Sequence, residues 1–360
     1  MKKLRVAFIG FAHVHVHNMS KDLAAFPDRV ELVGIADYAP FTEFEHNARL
    51  TSIKKLEWFE GKIYDDYKEL LKKDIDLAVI NTDISSHADI CEEILAMDIN
   101  VLIEKPMALS MADAKRMYRA HLNSKATLMI NWPVAWFPAF RKAKELADSG
   151  IIGKIQRVQY RCPATNGPFP KGKYTEEEMT KLWWYNSDRG GGSISDYAGY
   201  GCLLTTWITG RIAKRVSGFK KNFNLPFAKV EDYSTFTIDF GDSIGYVEGS
   251  WSTFSNAQIP TGPIIYGSDG VIVSDRYDTK VKVYNTAVRY VATPDADMVV
   301  DTAEDKVDTM AQNMIAHLLD GAPLYEMVSA EFNMRVMAAF DAGIRSCESG
   351  NVEDAYDPFE

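Results

Sequence analysis

The stretch "LRVAFIGFAHVHVHN", residues 4–18, carries a continuous apolar run into a glycine and then into three histidines at alternate positions. A short apolar run bounded by glycine reads as a strand buried on both faces. The turn after it has three readings. As the dinucleotide fingerprint GxGxxG, Gly10 takes the first position, Ala12 the second and His15 the third, with Phe11 and His13 among them. There the glycines serve a tight turn, close approach of backbone to pyrophosphate, and close packing of the following helix. As an extended segment, His13, His15 and His17 share one face, an arrangement suited to zinc or copper. The third reading leaves the histidines purely structural. Two neighbours favour the nucleotide. A strand precedes the turn, and Asp37 ends a second apolar run, "ELVGIAD", 22 residues after His15, where a carboxylate reaches the adenosine ribose hydroxyls. No arginine or lysine lies between Asp37 and Arg49, which favours NAD, with NADP as the alternative. No second histidine or cysteine cluster completes a metal site, so no metal is expected.

Working outward, "RVELVGIA", "DLAVIN", "NVLIE" and "ATLMIN" repeat the buried-strand pattern, and "YDDYKELLKK", "HADICEEILAM" and "SMADAKRMYRAHL" between them read as helices, the last with Ser110 as N-cap. This alternation predicts an α/β Rossmann domain with a doubly wound parallel sheet over residues 1–130. After the helical "AFRKAKELADSG", the runs "KIQRVQYRC", "DYSTFTIDFG", "SIGYVEGSWSTF", "GPIIYGSDGVIVSD" and "KVKVYN" alternate apolar and polar residues and are joined by glycine and aspartate turns. Two helices, "TMAQNMIAHLLDG" and "SAEFNMRVMAAFDAGIRSC", close the chain. Residues 131–360 are therefore expected to form an α+β domain with a mostly antiparallel sheet.

The 360 residues carry 50 acidic and 40 basic side chains, a formal charge of −10, which argues against nucleic acid or an anionic membrane as the main partner. The four cysteines show no CxxC spacing, so neither a zinc ribbon nor a disulfide framework is suggested and a reducing cytoplasm is expected. "MKK" with the short apolar run after it reads as a first strand rather than a signal peptide. No apolar stretch approaches the roughly 20 residues of a membrane-spanning helix.

"VLIEKPMALSMADA" places Glu104, Lys105 and Pro106 directly after a predicted strand, so Lys105 points into the crevice at the strands' carboxyl ends. This EKP resembles the motif of the glucose-fructose oxidoreductase, inositol dehydrogenase and MocA family (Gfo/Idh/MocA). The resemblance covers nearly the whole chain. "NTDISSH" is similar to the family's TPxxxH turn, with Thr82 and His87 in the matching positions and Asp83 replacing proline. "GIIGKI" resembles its domain boundary, "WWYNSDRGGGSISDYAGYGCLLTTWITG" its GGG-containing active-site helix, and "VEDYSTFTIDFGDSIGYVEGSW" and "GSDGVI" strands of its open-faced C-terminal sheet. Ala135 stands where the family commonly has an arginine.

The resemblance implies an NAD(P)-dependent dehydrogenase or reductase acting on CH–OH groups, with the EKP lysine in the proton step. It also implies a cofactor-binding set of Gly10, Phe11, Ala12, His13, His15, Asp37, Thr82, His87, Glu104 and Lys105. Many members carry Asp and His four residues apart after the GGG. Here the pair is Asp196 and Tyr200, similar to the dihydrodiol dehydrogenase, xylose dehydrogenase and glucose-fructose oxidoreductase branches. Residues at i and i+4 stand about 5–6 Å apart on one helix face, so both can meet one substrate. A tyrosine base near neutrality needs its pKa lowered by about 2–3 units, which an ammonium about 4 Å away supplies. The expected catalytic set is thus Lys105 beside the Tyr200 hydroxyl, with Asp196 holding Lys105 or the substrate. The alternative makes Lys105 the acid/base and Tyr200 an orienting group. Asn131, Trp132, Trp183 and Trp184 are expected around the substrate, the indoles stacking on a sugar ring.

The function expected is hydride transfer between nicotinamide and a secondary alcohol of a sugar, polyol or related cyclic compound. Alternatives are a redox-neutral elimination or hydrolysis through transient oxidation, a catalytically silent nucleotide-binding sensor, and a metal-dependent hydrolase. The alternate apolar residues of "STFTIDF" and "YVEGSWSTF" predict a sheet face covered by a second subunit, hence a homodimer or homotetramer.

Overall fold

The computed structural model describes residues 2–256, 259–286 and 295–360. A six-stranded parallel sheet is built from β1 (Leu4–Ile9), β2 (Val30–Ala36), β3 (Ile63–Tyr64), β4 (Leu77–Ile80), β5 (Asn100–Glu104) and β6 (Leu128–Asn131), in the order β3-β2-β1-β4-β5-β6. The order turns at β1, which pairs with both β2 and β4, so the ligand crevice of such a sheet opens above the carboxyl end of β1. The strands are flanked by α1 (Val16–Ala24), α2 (Glu43–Ile53), α3 (Tyr67–Leu71), α4 (His87–Leu95) and α5 (Met111–Leu122). Ser110 caps α5 by accepting the Asp113 N–H, as expected. The "YDDYKELLKK" helix is shorter than expected: Asp66 caps it, and Tyr64 belongs to the edge strand β3.

Beyond α6 (Pro138–Asp148) a nine-stranded sheet forms from β7 (Ile155–Pro163), β8 (Arg215–Lys221), β9 (Tyr233–Asp239), β10 (Ile244–Ser250), β11 (Ile264–Gly267), β12 (Val271–Val273), β13 (Lys280–Tyr284), β14 (Met298–Asp301) and β15 (Glu353–Asp354). It is antiparallel except where β7 and β10 run parallel. The short α7 (Glu176–Met179) precedes the GGG segment and α8 (Gly199–Thr209) follows it; α9 (Met310–Asp320) and α10 (Ala330–Ser349) come near the end.

Helix α8 lies unusually close to β10. A Cβ on Gly249 would sit 2.5 Å from the Ala198 backbone nitrogen, and one on Gly201 2.3 Å from a Val247 methyl; this contact fixes the helix that carries Tyr200. The apolar alternation of β9 and β10 turns inward, burying Phe236, Ile238 and Val247 beneath α8 and α10. The outward face carries Arg161, Thr235, Tyr246 and Glu248, with Arg161 and Glu248 paired at 2.8 Å. The expected apolar face for a second subunit is thus already covered within the chain. Met310, Ala311, Met314 and Ile315 of α9 share a core cluster with Val6 and Phe8 of β1. Among the described residues the four cysteines are free and no helix is long and apolar enough to cross a membrane.

Candidate active site

Gly10 holds φ = +75°, and a Cβ there would lie 2.6 Å from the Thr82 methyl, so only glycine lets the turn settle against the end of β4. The three histidines do not share a face, because His15 starts a helix. His13 is buried, its ring 4.8 Å from that of Trp184, and its Nδ1 accepts the His15 backbone N–H at 3.2 Å. Burial and then the nearby His15 hold its pKa well below the usual histidine value, so it is neutral. His17 turns to Ser52 Oγ at 3.0 Å. Glu104 takes the place expected of His17: donor atoms of His13, His15 and Glu104 lie within 4.8 Å of one another. That cluster is already satisfied by hydrogen bonds. The His13 Nδ1 lone pair is occupied, and His15 Nδ1 meets Glu104 Oε1 directly at 2.8 Å.

The groove between this turn and the ends of β2 and β4 is roofed by residues 181–190. Thr42 Oγ1 donates to the Lys181 carbonyl at 2.6 Å, Glu45 Oε1 accepts the Trp183 N–H at 3.1 Å, and Trp183 Nε1 donates to the Ala12 carbonyl at 3.2 Å. Arg189 donates to Asp83 Oδ2 and the Ala39 carbonyl, both at 2.6 Å. Trp183 and Trp184 therefore do not line a sugar pocket. Stacked on each other at 4.2 Å, they fill a hollow formed by Ala12, Ile84 and Phe169. Asp37 directly follows β2 rather than ending it, its Oδ2 2.5 Å from His46 Nδ1. Phe11, Thr82 and His87 are buried around the same groove.

The groove suits a phosphate-bearing dinucleotide in its unpaired atoms. Of the fifteen buried side-chain nitrogens and oxygens without a hydrogen-bond partner among the described residues, seven belong to residues of the Gly10 turn's surroundings and the segment packed over it: Nε and Nη2 of Arg49, both amide atoms of Asn81, His87 Nε2, Trp184 Nε1 and Arg189 Nε. Each such orphan costs roughly 1–3 kcal/mol, and a ligand rich in acceptors and donors relieves them. Arg49 is a buried cation whose charge reaches His13 and His17. Its neighbour Glu45 is pushed by burial up to about 7 and so balances it incompletely at neutral pH.

Lys105, 1% exposed, donates to the Asp196 carbonyl at 2.7 Å and to Asp196 Oδ1 at 2.9 Å, and Trp251 Nε1 holds Asp196 Oδ2 at 2.9 Å. Asp196 sits in a wide π-turn, Ile194–Ala198, that frees its carbonyl for this contact. The Lys105 ammonium lies over the Tyr200 ring, 4.8 Å from its centroid. The expected lowering of the tyrosine pKa is not met: burial first, then the Glu104 and Asp196 carboxylates, push the hydroxyl well above its ordinary value. Trp132 is a support rather than a substrate contact, packed edge-on to Tyr200 at 5.4 Å with Nε1 donating to Asn333 Oδ1 at 2.7 Å.

Beside this cluster a cleft of about 520 Å³ is lined by His15, Asn131, Trp136, Tyr200, Arg276 and Asp308, among others. Asn131 is where the sequence puts it, its Nδ2 donating to Glu104 Oε2 at 2.9 Å. Arg276 and Trp251 were missed: Arg276 lies in no motif and Trp251 only closes the strand segment "VEDYSTFTIDFGDSIGYVEGSW", and pairing of β11 and β10 with β7 brings them in. A larger hollow of about 640 Å³ opens between Lys220, Glu231 and Glu348, and neither Lys105 nor Tyr200 lines it.

Residues 4–132 match the model of the oxidoreductase family with an NAD-binding Rossmann fold, and residues 140–273 match the GFO/IDH/MocA C-terminal domain. The chain belongs to the GFO/IDH/MocA oxidoreductases. It is 27% identical over 197 residues to dTDP-3,4-didehydro-2,6-dideoxy-alpha-D-glucose 3-reductase of Actinomadura kijaniata, covering 51% of this chain and 56% of that protein. It is 26% identical over 223 residues to the NADP(+) D-xylose 1-dehydrogenase of Haloarcula marismortui, covering 60% and 56%. The chain thus spans just over half the length of these curated relatives. The WlbA dehydrogenase from Bordetella pertussis, solved with NADH and UDP-GlcNAcA, superposes with a TM-score of 0.76 at 17% identity, covering 99% of each chain, and shares the fold. The family description makes the first domain NAD-binding, in agreement with the strand, the Gly10 turn and Asp37.

Proposed function

We propose that this GFO/IDH/MocA protein is an NAD(P)-dependent oxidoreductase, preferring NAD, that acts on a secondary alcohol of a sugar, polyol or related cyclic compound. The observation that carries the reading is the buried Lys105–Asp196 pair under Tyr200, whose side chain lines the neighbouring cleft. Gly10, Asp37, Thr82, Asn81 and Arg49 are the residues suited to hold the dinucleotide. The nicotinamide, when bound, accepts or donates hydride. Asp196 keeps the Lys105 charge fixed beneath the cleft, where it stabilises negative charge on the substrate oxygen. The Tyr200 hydroxyl, held protonated, donates a hydrogen bond to that oxygen. The outer face of the second sheet, where Phe219 and Tyr246 stand exposed beside the Arg161–Glu248 pair, would assemble copies.

The roof formed by Trp183 and Arg189 favours a second reading, in which the cofactor stays enclosed and is regenerated in every cycle of an elimination or hydrolysis. Nucleotide reduction by the purified protein, with NAD and NADP against a panel of polyols, sugars and sugar acids, tests both. Accumulating reduced nicotinamide supports the dehydrogenase. Product formed with the nicotinamide absorbance unchanged supports the enclosed cycle.

A further inference from the structure

The cleft holds few groups able to take a proton. Lys105 lies beneath it, bound to Asp196, and Tyr200 keeps its own proton. Asp22 Oδ2 is occupied by the Ala311 N–H at 2.9 Å, and Asp308 stands at the exposed rim. His15 differs from all of these. Its side chain is 23% exposed, it lines the cleft with Asn131 and Tyr200, and Nδ1 is held by Glu104 Oε1 at 2.8 Å. Nε2 has no partner among the described residues. Glu104 is fully buried and fixed from its other side by Asn131.

We propose that His15, oriented by Glu104, exchanges the substrate hydroxyl proton. The proposal rests on the oxidoreductase reading and assigns its acid/base. In alcohol oxidation the O–H bond breaks and its proton goes to His15 Nε2, while the C–H electron pair leaves as hydride to the nicotinamide, so the alcohol loses one proton and one hydride. The imidazolium keeps its Nδ1–H on Glu104; reduction returns both. A carboxylate that fixes one ring nitrogen fixes the tautomer and leaves the other nitrogen basic. Burial opposes the charge on Glu104, but His15, Lys105 and Asn131 outweigh it and keep the carboxyl below its usual range. The charged and titratable groups around His15 are Glu104, Lys105 beneath the cleft, His13 at 4.4 Å between ring centroids, Asp22 of its own helix, Tyr200 of α8, and Arg276 and Asp308 across the cleft. His13, held neutral, does not compete for the proton. This accounts for a histidine at the fingerprint position that otherwise favours glycine.

His15→Gln and Glu104→Gln are compared with the unaltered protein in three measurements: dinucleotide affinity from tryptophan fluorescence, the pH profile of kcat/KM for oxidation, and NMR titration of the His15 imidazole in cofactor-free protein. For His15→Gln the expected result is a kcat lower by about 10²–10⁴-fold, loss of the acidic limb of the profile, and nucleotide affinity within about twofold. Glu104→Gln should move the imidazole titration toward acid; if that variant does not fold, Glu104→Asp, which draws the carboxylate back from Nδ1, should move it the same way more weakly. A retained limb, a parallel loss of nucleotide binding, or activity abolished by a chelator and restored by zinc each overturns the assignment. If the unaltered protein oxidises no alcohol, the oxidoreductase reading fails separately. The His15–Glu104 pair is then judged by the titration alone, and one unmoved by either variant overturns it.

Discussion

The Lys105 ammonium lies over the ring of Tyr200, 4.8 Å from its centroid, while its hydrogens go to the carbonyl and carboxylate of Asp196. Cation over ring face and cation beside hydroxyl differ in chemistry. The first fixes the ring and leaves the phenol a proton donor; the second would have made it a base.

Lys105→Met should lower kcat by at least about 10²-fold and destabilise the fold, because losing one partner of a buried pair costs about 3–5 kcal/mol. Asp196→Asn keeps the backbone carbonyl and one side-chain acceptor but turns its NH2 against either the Lys105 ammonium or Trp251 Nε1, so it should destabilise as well. Urea unfolding and steady-state kinetics measure both. Undiminished turnover in Lys105→Met would remove the cluster from the mechanism.

Tyr200→Phe removes a donor but no base. Its kcat should fall about 10²- to 10³-fold, the worth of one hydrogen bond to developing charge, with the shape of the pH profile preserved. A missing limb in this variant would restore the phenol as the titrating group.

Arg49 should trade stability for affinity. With its Nε and Nη2 unpartnered and Glu45 pushed up to about 7, Arg49→Met should raise the unfolding midpoint while weakening dinucleotide binding about tenfold or more. Calorimetry with and without nucleotide separates the two. A stabler variant with unchanged affinity would show that the guanidinium meets no phosphate.

Acid should loosen the fold through His13 and His87, both held below the ordinary histidine value, first of all by burial. The unfolded chain takes up these protons as pH falls through about 6.5 and the folded chain does not. Their contribution is therefore complete above that pH and shrinks below it. Urea midpoints between about pH 8 and pH 5 should drop, and less steeply in His87→Asn. A slope unchanged by that substitution would assign the acid sensitivity elsewhere.

Arg276 has no carboxylate within ion-pair reach among the described residues and lines the cleft beside Tyr200. Arg276→Met should raise KM for substrates bearing a carboxylate or phosphate at least about tenfold, and that for neutral polyols little. Equal effects on both would make the guanidinium structural.

The first sheet was legible because its strands are buried on both faces and read as continuous apolar runs, and Lys105 and Asp196 because each sits in a compact motif. The placement of Trp183 and Trp184 was not. Aromatic residues in a short turn carry no periodicity, so nothing local says which side of an inter-domain crevice they fill. The His15–Glu104 contact joins positions 89 apart and depends on β1 and β5 both flanking β4. Arg276 arrives through the register of β11 and β12. The outer face of β10 misled because alternation marks a buried side without naming what buries it.

Helix α9 sets an order on synthesis. Val6 and Phe8 are made long before Met310, Met314 and Ile315, which complete their packing, and Asp22 is tied to Ala311. A nascent chain emerges N-terminus first, so this face of the first sheet, lined early by Val16, Met19 and Leu23 of α1, waits for α9 before its packing is complete. Shortening the chain from its far end should therefore damage the half that is translated first.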